Sequence, residues 1–308
     1  MNEIKIFSPG TVANVSCGFD VLGFCLDTIG DEMVVRKTTE KGVKITKIVG
    51  ADLPFKTENN VAGVAALAIL KAADADFGVE IEIYKNIKPG SGIGSSSASA
   101  SGTVFAINEL LGRPFNKQQL TTFGMKGEAL ASGAEHADNV APGIFGGFTL
   151  VKEVSPLKVV QLPTPSELYA TVIHPQIEVK TSEARAILPK EVELNNAIKQ
   201  WANVGSLVSA LYENDYELIA DSLNDFIVEP HRSQLIPHFD KVKKAMLEAG
   251  ALGAGISGSG PSIFSLCKGK DVAEKVATAI KKVYQSTGIK FEVYISKVNA
   301  EGIKIINN

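Results

Sequence analysis

Apolar residues along the chain recur with two periods, which separate predicted strands from predicted helices. Residues 79–87 place Val79, Ile81 and Ile83 on one face, so they predict a strand that ends before Pro89. Residues 103–111 repeat apolar side chains at helical spacing. The segment PGSGIGSSSASAS (89–101) therefore lies between a strand and a helix, where connections are short and a flexible linker is not expected.

The same patterns predict the rest of the architecture. Asn60, Asn116 and Gly250 are expected helix caps, and Pro230 is expected to stop one helix. Helices are predicted at residues 61–73, 117–132, 192–212, 216–227 and 237–249, and strands at 4–7, 43–48, 148–151, 169–173, 263–267 and 291–297. Because helices and strands mix without strict βαβ alternation, we expect an α+β fold. The turn-rich residues 162–167 predict a boundary between a domain at 1–160 and a second at 161–308.

Composition narrows the class of protein. Hydrophobic residues make up 45% and charged residues 21%, and the net charge of −3 includes no run of five like charges. Because no basic face or tail is visible, we expect no nucleic-acid partner. The longest apolar run, residues 61–70, is too short to span a bilayer, so no membrane partner is expected. These properties favour a soluble protein that handles small molecules.

Cysteine usage and the first residues set further expectations. Cys17, Cys25 and Cys267 are an odd number in no metal-like spacing, which argues against a disulfide framework and against zinc. The opening MNEIKIFSPG has no apolar core of a signal peptide, so a cytoplasmic protein is expected.

Two glycine-rich segments are candidates for phosphate binding. Gly90, Gly92 and Gly94 allow the backbone to turn its N–H groups inward just before a helix, whose positive end favours an anion. No lysine of a P-loop follows, and the spacing is not that of a Rossmann fold. Residues 250–264 form a second such segment, and two together indicate a polyphosphate or a site closed from two sides. The alternatives are a tight strand-to-helix turn and a packing loop.

Two polar segments add candidate ligand groups. In residues 7–26, Asn14, Ser16 and Asp20 interrupt an apolar stretch, which by itself is more typical of a turn than of a binding loop. In residues 126–148, Glu128, His136, Asp138 and Asn139 cluster before GIFGGF. Taken singly, a histidine or a glutamate in such a position is more often structural than functional. Together with a serine of the first glycine segment, however, Glu128 could bind magnesium with a nucleotide.

The chain resembles the superfamily of galactokinase, homoserine kinase, mevalonate kinase and phosphomevalonate kinase. The signature PxxxGLGSSAA of that superfamily stands here as PGSGIGSSSAS, with Ile93 for Leu and Ser97 for Ala, and the second glycine segment reads GAGISGSGPSIF. Four segments resemble the homoserine kinases in particular, so the resemblance extends over most of the chain; they are VANVSCGFDVLGFCLD, GEALASGAEHADNVAPGIFGGF, TSEARAILP and EPHRSQLIP.

The resemblance implies ATP-dependent phosphorylation of L-homoserine to O-phospho-L-homoserine in threonine biosynthesis, by a homodimer. It also implies a ribosomal-protein-like N-terminal domain and a ferredoxin-like C-terminal domain, with the ATP site at their junction. The implied ATP-binding residues are Pro89, Gly90, Ser91, Gly92, Ile93, Gly94, Ser95, Ser96, Ser97, Ala98, Ser99, Gly255, Ser257 and Gly258, and Ser96 and Glu128 would bind Mg²⁺. The implied homoserine-binding residues are Asn14, Asp20, His136, Asn139, Thr181, Arg185 and Arg232, and the implied catalytic residues are Asn139, Glu128 and Arg185.

The chemistry of an amino acid agrees with these roles. Arg185 and Arg232 can grip a carboxylate with charge-assisted hydrogen bonds, and Asp20 can bind an ammonium. The proton acceptor is open: Asn139 cannot take a proton, whereas the adjacent Asp138 can. Our hypothesis is transfer without a protein base. The alternatives to a homoserine kinase are a kinase of another small alcohol, such as mevalonate or shikimate, and a non-catalytic nucleotide-binding regulator.

Overall fold

The computed structural model of the protein describes residues 1–306, and its strands form two sheets. The strands are β1 (Glu3–Ala13), β2 (Leu22–Thr38), β3 (Val43–Val49), β4 (Gly78–Tyr84), β5 (Phe148–Val154), β6 (Leu157–Leu162), β7 (Leu168–Pro175), β8 (Gly253–Ile256), β9 (Ile263–Lys268), β10 (Phe291–Lys297) and β11 (Lys304–Ile305). The helices are α1 (Val61–Ala72), α2 (Ser95–Leu110), α3 (Lys117–Ser132), α4 (Val140–Phe145), α5 (Thr181–Ala186), α6 (Leu194–Glu213), α7 (Tyr216–Ser222), α8 (Glu229–Arg232), α9 (Phe239–Glu248) and α10 (Lys270–Gln285). The predicted α+β class is confirmed.

The first sheet has seven strands and carries most of the N-terminal half. Its order is β11-β1-β2-β4-β3, and β5 joins through β2 and in turn pairs with β6. Only the β3–β4 pair is parallel. Helices α1, α2 and α3 pack together on the sheet over a core that includes Ile81, Ile83 and Val104. The predicted caps are confirmed here, because Asn60 accepts from the backbone of Ala62, and Asn116 forms a capping box with Gln119.

The second sheet has four antiparallel strands in the order β10-β7-β9-β8. Along the chain the strands and the two helices that pack on them, α9 and α10, follow a β-α-β-β-α-β order, with α5 to α8 inserted before α9. That topology is the ferredoxin-like one. Helices α9 and α10 cover this sheet, and their apolar faces meet it around Val242, Val276 and Ile280.

The two sheets divide the chain near the expected boundary. Leu162 ends the last N-terminal strand of the first sheet, and Leu168 begins the second sheet. The final strand β11 then returns to pair with β1, so residues 304–305 belong to the first sheet. The domain limits of 1–160 and 161–308 stay a prediction, and their last residues, Asn307 and Asn308, lie outside the described residues. No helix within residues 1–306 is long and apolar enough to cross a bilayer.

Several predicted elements were wrong in their limits. Helix α2 begins at Ser95 rather than near Thr103, so the serines form its first turns instead of a loop. Helix α7 ends at Ser222, well before Pro230, and the carboxylate of Asp225 accepts the backbone N–H groups that follow it. Periodicity failed here because small residues and side-chain hydrogen bonds decide where these helices start and stop.

Two strands lie in segments that the sequence indicated as loops. Strand β2 begins at Leu22, in the last quarter of the residue 7–26 segment, and continues to Thr38. Strand β8 takes up Gly253–Ile256 of the second glycine segment, which leaves only residues 257–262 as the loop before β9. Glycine and small residues hide strand periodicity because they contribute little apolar contrast between the two faces.

Candidate active site

A cavity of about 720 Å³ lies between elements of the first sheet and the segments around α5, α8 and the second glycine loop. Most residues that the resemblance implies meet there, although they come from distant parts of the sequence. Those that line it are Asn14, Asp20, Pro89, Gly90, Ser91, Gly92, Gly94, Ser95, Ser96, Ser97, Ser99, Glu128, His136, Asn139, Thr181, Arg185, Arg232 and Gly258. Four others do not line it: Ile93 and Ala98 point into the apolar core, Gly255 lies within β8, and Ser257 is fully buried.

The first glycine segment ends at the N-terminus of α2. Gly90, Gly92 and Gly94 have φ angles of +74°, +77° and +67°, which glycine adopts without the strain that other residues suffer. Gly94 is the N-cap of the 16-residue helix, and no side chain caps it. The first turn therefore turns backbone N–H groups and the positive end of the helix dipole towards the cavity. This arrangement suits a phosphate.

Glu128 reaches this helix terminus from α3. Its two carboxylate oxygens accept hydrogen bonds from Ser96 Oγ and Ser97 Oγ, both at 3.0 Å. Burial raises the pKa of Glu128, and the two hydroxyls and the Lys85 ammonium oppose that rise. A carboxylate and a hydroxyl at the mouth of an anion site are the oxygen ligands that Mg²⁺ takes together with nucleotide phosphates. The residues present thus fit a magnesium ion.

A buried ion pair that the sequence analysis missed supports the same helix. Lys85 donates to Asp31, to the carbonyl of Ser95 at 2.7 Å and to Ser99 Oγ at 3.1 Å. Asp31 also accepts the backbone N–H groups of Asn86 and Ile87. Burial lowers the pKa of Lys85. The available signal was Asp31 within the apolar run of β2, since a buried carboxylate requires a partner.

The second glycine loop packs directly on the first. Ser257 Oγ donates to the carbonyl of Gly92 at 2.7 Å, and Ser262 Oγ donates to the carbonyl of Ser91 at 2.6 Å. A Cβ on Gly92 would lie 2.6 Å from the carbonyl oxygen of Gly260. The loop therefore closes the site from a second side mainly by holding the first loop, and Gly258 is the predicted residue of this loop that reaches the cavity.

Charged side chains gather at the other end of the cavity. Arg185 donates to both carboxylate oxygens of Asp20, at 2.9 and 3.1 Å. His136 lies beside this pair, with Nδ1 3.9 Å from Asp20 and Nε2 3.4 Å from Arg185. The ring of Phe19 lies under both arginines, 5.4 Å from the Arg185 guanidinium and 4.8 Å from that of Arg232. Two cations and one carboxylate thus share a small volume.

Burial controls the protonation of this cluster. Arg232 is only 3% exposed and donates through Nε to the carbonyl of Ala184 and through NH1 to that of Gly258. Burial and then the nearby Arg185 lower the pKa of Arg232, and burial also lowers the pKa of His136, which favours the neutral imidazole. Burial, reinforced by Asp20, raises the pKa of Asp138 to about 7.

Asn14 and Asn139 are both fixed by hydrogen bonds within the protein. Asn14 Nδ2 donates to the carbonyl of Gly258 at 2.7 Å, and its Oδ1 accepts from the backbone N–H of Asp20. The segment therefore forms the expected turn, and Asn14 and Asp20 of this turn also line the cavity. Asn139 Oδ1 accepts from Thr11 Oγ1 at 2.8 Å, which leaves the amide N–H₂ as its donor. Thr181 Oγ1 lies 3.4 Å from Ser259 Oγ.

Away from the charged side chains, the cavity has an apolar lining. The sequence analysis named no residue of this lining as a site candidate. Leu53, Pro54 and Val61 line it from one side and Leu130 from another, with Asn59 and Asn60 between. These residues carry no motif that distinguishes them from core or surface residues. Only their position beyond the first glycine loop indicates a site for a flat apolar group.

Comparisons with known proteins agree with this geometry. Residues 59–147 match the family described as GHMP kinases N terminal domain, and residues 207–286 match GHMP kinases C terminal. A homoserine kinase of Chlorobium phaeobacteroides (strain BS1) is 42% identical over 320 aligned residues, which cover 99% of this chain and 100% of that protein. A crystal structure of homoserine kinase from Cytophaga hutchinsonii is 52% identical, with a TM-score of 0.95 over 99% of this chain and 98% of that one. The mevalonate kinase of L. major, solved with R-mevalonate, shares the fold at a TM-score of 0.73 and 15% identity, with coverage of 96% of each chain.

Proposed function

The chain belongs to the homoserine kinases of the GHMP kinase family, and from that premise we propose that it transfers the γ-phosphoryl group of ATP to the hydroxyl of L-homoserine. One observation carries the proposal. A helix N-terminus behind a glycine loop and a cluster of two arginines with one aspartate line the same cavity. The first suits phosphates and the second suits a zwitterionic amino acid, so one site can hold both reactants.

The amino acid end supplies binding and orientation. We propose that Arg185 and Arg232 bind the substrate carboxylate, because guanidinium groups form paired charge-assisted hydrogen bonds with carboxylates. Asp20 would bind the ammonium, and the neutral His136, Asn14 and Thr181 would complete the polar lining. Because Asp20 and Arg185 already contact each other, the substrate has to compete with that pair for both charges.

The phosphate end stabilises charge. Backbone N–H groups of residues 90–97 and the α2 dipole would neutralise the transferring phosphoryl group. Ser96 and Glu128 would hold Mg²⁺, which when bound neutralises charge on the ATP phosphates. Lys85 and Ser257 do not need to contact the nucleotide for this role, since they hold the helix terminus and the first loop in place. The apolar end, with Leu53, Pro54 and Leu130, would take the adenine base.

Asn139 and Asp138 bear on the fate of the hydroxyl proton. Asn139 has its amide oxygen occupied by Thr11, so we propose that its N–H₂ orients the substrate hydroxyl. Phosphoryl transfer passes through a loose transition state in which positioning outweighs covalent help from the protein. We keep the hypothesis that no protein base is needed and that the proton leaves with the phosphate or to solvent. Asp138, with its pKa of about 7, is the group that tests it.

A coupled ADP-release assay over a panel of small alcohols tests the proposed function. Purified protein with ATP and magnesium should phosphorylate L-homoserine with the highest kcat/KM, ahead of L-serine, mevalonate and shikimate. Substrates that lack an ammonium gain nothing from Asp20, which then stays paired with Arg185, and this should lower their kcat/KM by at least about a hundredfold. Preference for mevalonate or shikimate would support the other-alcohol alternative. Binding of ATP without turnover of any alcohol would support a regulator.

The finer expectations are proposals of the same kind. We propose that the enzyme acts in the cytoplasm, in threonine biosynthesis, and as a homodimer. For the dimer, helix α6 exposes Leu194 (67%), Ile198 (44%) and Trp201 (58%) on one stripe, which a second copy would cover. Light scattering should give a mass near twice 32.7 kDa for the wild type and a monomer for Trp201→Lys. Phe55→Lys, at an equally exposed residue outside α6, is the control that should leave the dimer intact.

A further inference from the structure

A second, much smaller cavity of about 10 Å³ adjoins the amino acid end of the active site. Asn14, Arg232 and Gly258 line both cavities and form the wall between them. Ser16 and Glu229 line only the smaller one, which we call the rear cavity. Any group held there touches the side chains proposed to bind the substrate, without contact to the substrate itself.

Two buried oxygen atoms at the rear cavity have no hydrogen-bond partner among residues 1–306. They are Ser16 Oγ and Glu229 Oε2, and only Thr149 Oγ1 on β5, which lines neither cavity, shares this condition within the described chain. The two oxygens face a common point. A Cβ built on Gly255 would lie 2.6 Å from Ser16 Oγ and 3.5 Å from Glu229 Oε2. Buried polar atoms in native proteins are nearly always paired, so both atoms indicate a small polar ligand between them.

The size and charge of the rear cavity select a water molecule. The cavity volume of about 10 Å³ leaves room for about one water molecule. Such a water can donate to Glu229 Oε2 and exchange a hydrogen bond with the Ser16 hydroxyl. A metal cation is disfavoured, because the Arg232 guanidinium lines the cavity and the Lys243 ammonium already pairs with Glu229. The Asp225 carboxylate also lines the cavity, but both of its oxygens already accept hydrogen bonds within the protein.

The backbone that presents Ser16 is unusual in a way that favours a functional role. Asn14, Val15 and Ser16 all have positive φ angles, of +74°, +39° and +54°, although none is glycine. Such conformations are strained and cluster at functional sites. This turn puts Asn14 against the active-site cavity and Ser16 against the rear cavity within three residues.

We propose that the rear cavity holds one ordered water and that Ser16 and Glu229, through this water, act as positioning residues for Asn14 and Arg232. Arg232 is held on its other sides by the carbonyls of Ala184 and Gly258, so a water at the rear cavity completes its fixed orientation. The kinetic part of this inference rests on the proposed function, because its readout is the KM for homoserine. The structural part does not.

A crystal structure of the wild-type protein at high resolution tests the water directly. We expect a single density peak in the rear cavity, within hydrogen-bond distance of Ser16 Oγ and Glu229 Oε2. An empty cavity overturns the proposal. So does anomalous scattering there after a soak in rubidium or thallium salt, since it would identify a monovalent cation site instead. Neither result depends on whether homoserine is the substrate.

Kinetics test the positioning role. Ser16→Ala and Glu229→Leu should each raise the KM for homoserine about fivefold, with the KM for ATP within twofold and kcat little changed. Glu229→Gln keeps an acceptor oxygen, so its KM for homoserine should stay close to the wild-type value. The methyl group of Gly255→Ala would displace the water, so this variant should raise the KM for homoserine as Ser16→Ala does. Thr149→Val removes the third unpartnered hydroxyl and is the control that should leave both KM values unchanged.

The pattern across these variants decides the inference. If Ser16→Ala and Glu229→Leu lower the melting temperature but move both KM values together, or if Thr149→Val raises the KM for homoserine equally, the residues are merely structural and the proposal fails. If the wild type does not act on homoserine at all, the proposed function fails, and the crystallographic test of the water stands on its own.

Discussion

Replacing Asp138 by asparagine distinguishes transfer without a protein base from base-assisted transfer. The substitution keeps the shape of a side chain that is buried and lines the active-site cavity, and it replaces the ionisable carboxyl by a neutral amide that cannot take a proton. Asp138 is also the neighbour of Asn139, which is proposed to orient the substrate hydroxyl. A carboxylate at this place is therefore the group best positioned to take the proton.

The size of the effect on stability follows from the pKa of Asp138. Burial raises it from an ordinary 3.8 to about 7, so the folded state holds this proton more tightly than the unfolded state. Stability from this group is fully present below about pH 4 and is lost as the pH rises to about 7. A difference of about three pH units corresponds to at most ~4 kcal/mol. Asp138→Asn lacks this loss, so we expect it to be the more stable protein at pH 8.

Urea unfolding at several pH values and steady-state kinetics measure the two consequences. The difference in unfolding free energy between variant and wild type should grow from pH 4.5 to pH 7 and then level off. Without a protein base, kcat of Asp138→Asn should stay within about tenfold of the wild type, because base catalysis contributes about a hundredfold to ten-thousandfold where it operates.

Glu135→Gln is the matched control, since it removes an exposed carboxylate three residues away that does not line the cavity. Both its kinetics and the pH dependence of its stability should match the wild type. A fall in kcat of more than about a thousandfold for Asp138→Asn, with the KM for ATP unchanged, would refute base-free transfer and identify Asp138 as the base.

Four further predictions concern the two ends of the active site and its first loop. Arg185→Met should raise the KM for homoserine about a hundredfold and leave the KM for ATP unchanged, because it removes charge-assisted hydrogen bonds from one end of the cavity. Arg113→Met, which removes an exposed ion pair outside the cavity, is the control and should change neither KM. Glu128→Gln should lower kcat at least about a hundredfold at fixed magnesium. Burial raises the pKa of Glu128, and magnesium needs the ionised carboxylate. The apparent magnesium affinity of the wild type should therefore increase with pH until Glu128 is fully ionised, and magnesium titrations over a series of pH values check this. Gly92→Ala should lower the unfolding free energy by about 2–4 kcal/mol through its positive φ and its clash with the second loop, whereas Gly90→Ala, with a similar φ and open space around it, should lower it by only about 1 kcal/mol.

The local features of this protein could be predicted from short stretches of sequence. The caps at Asn60 and Asn116 and the α+β class follow from nearest-neighbour preferences and apolar periodicity, which act within a few residues. The position of the first glycine segment between a strand and a helix favours phosphate binding, with a tight turn as the alternative. The substrate residues came from the resemblance to homoserine kinases, because a lone arginine such as Arg185 looks like any surface residue.

Tertiary structure alone decided how these pieces meet. Lys85 and Asp31 lie 54 residues apart, and Ser257 and Gly92 lie 165 apart, yet each pair is in hydrogen-bond contact. No local pattern encodes such contacts, since they depend on how two sheets and their helices pack. Packing also decides that Gly258 lines the active-site cavity, whereas Gly255 is buried within strand β8. The sequence by itself therefore predicted a phosphate loop ahead of a helix, although it placed the start of that helix eight residues too late. The shape of the amino acid end and the water-sized cavity behind it arise only when elements from both halves of the chain come together.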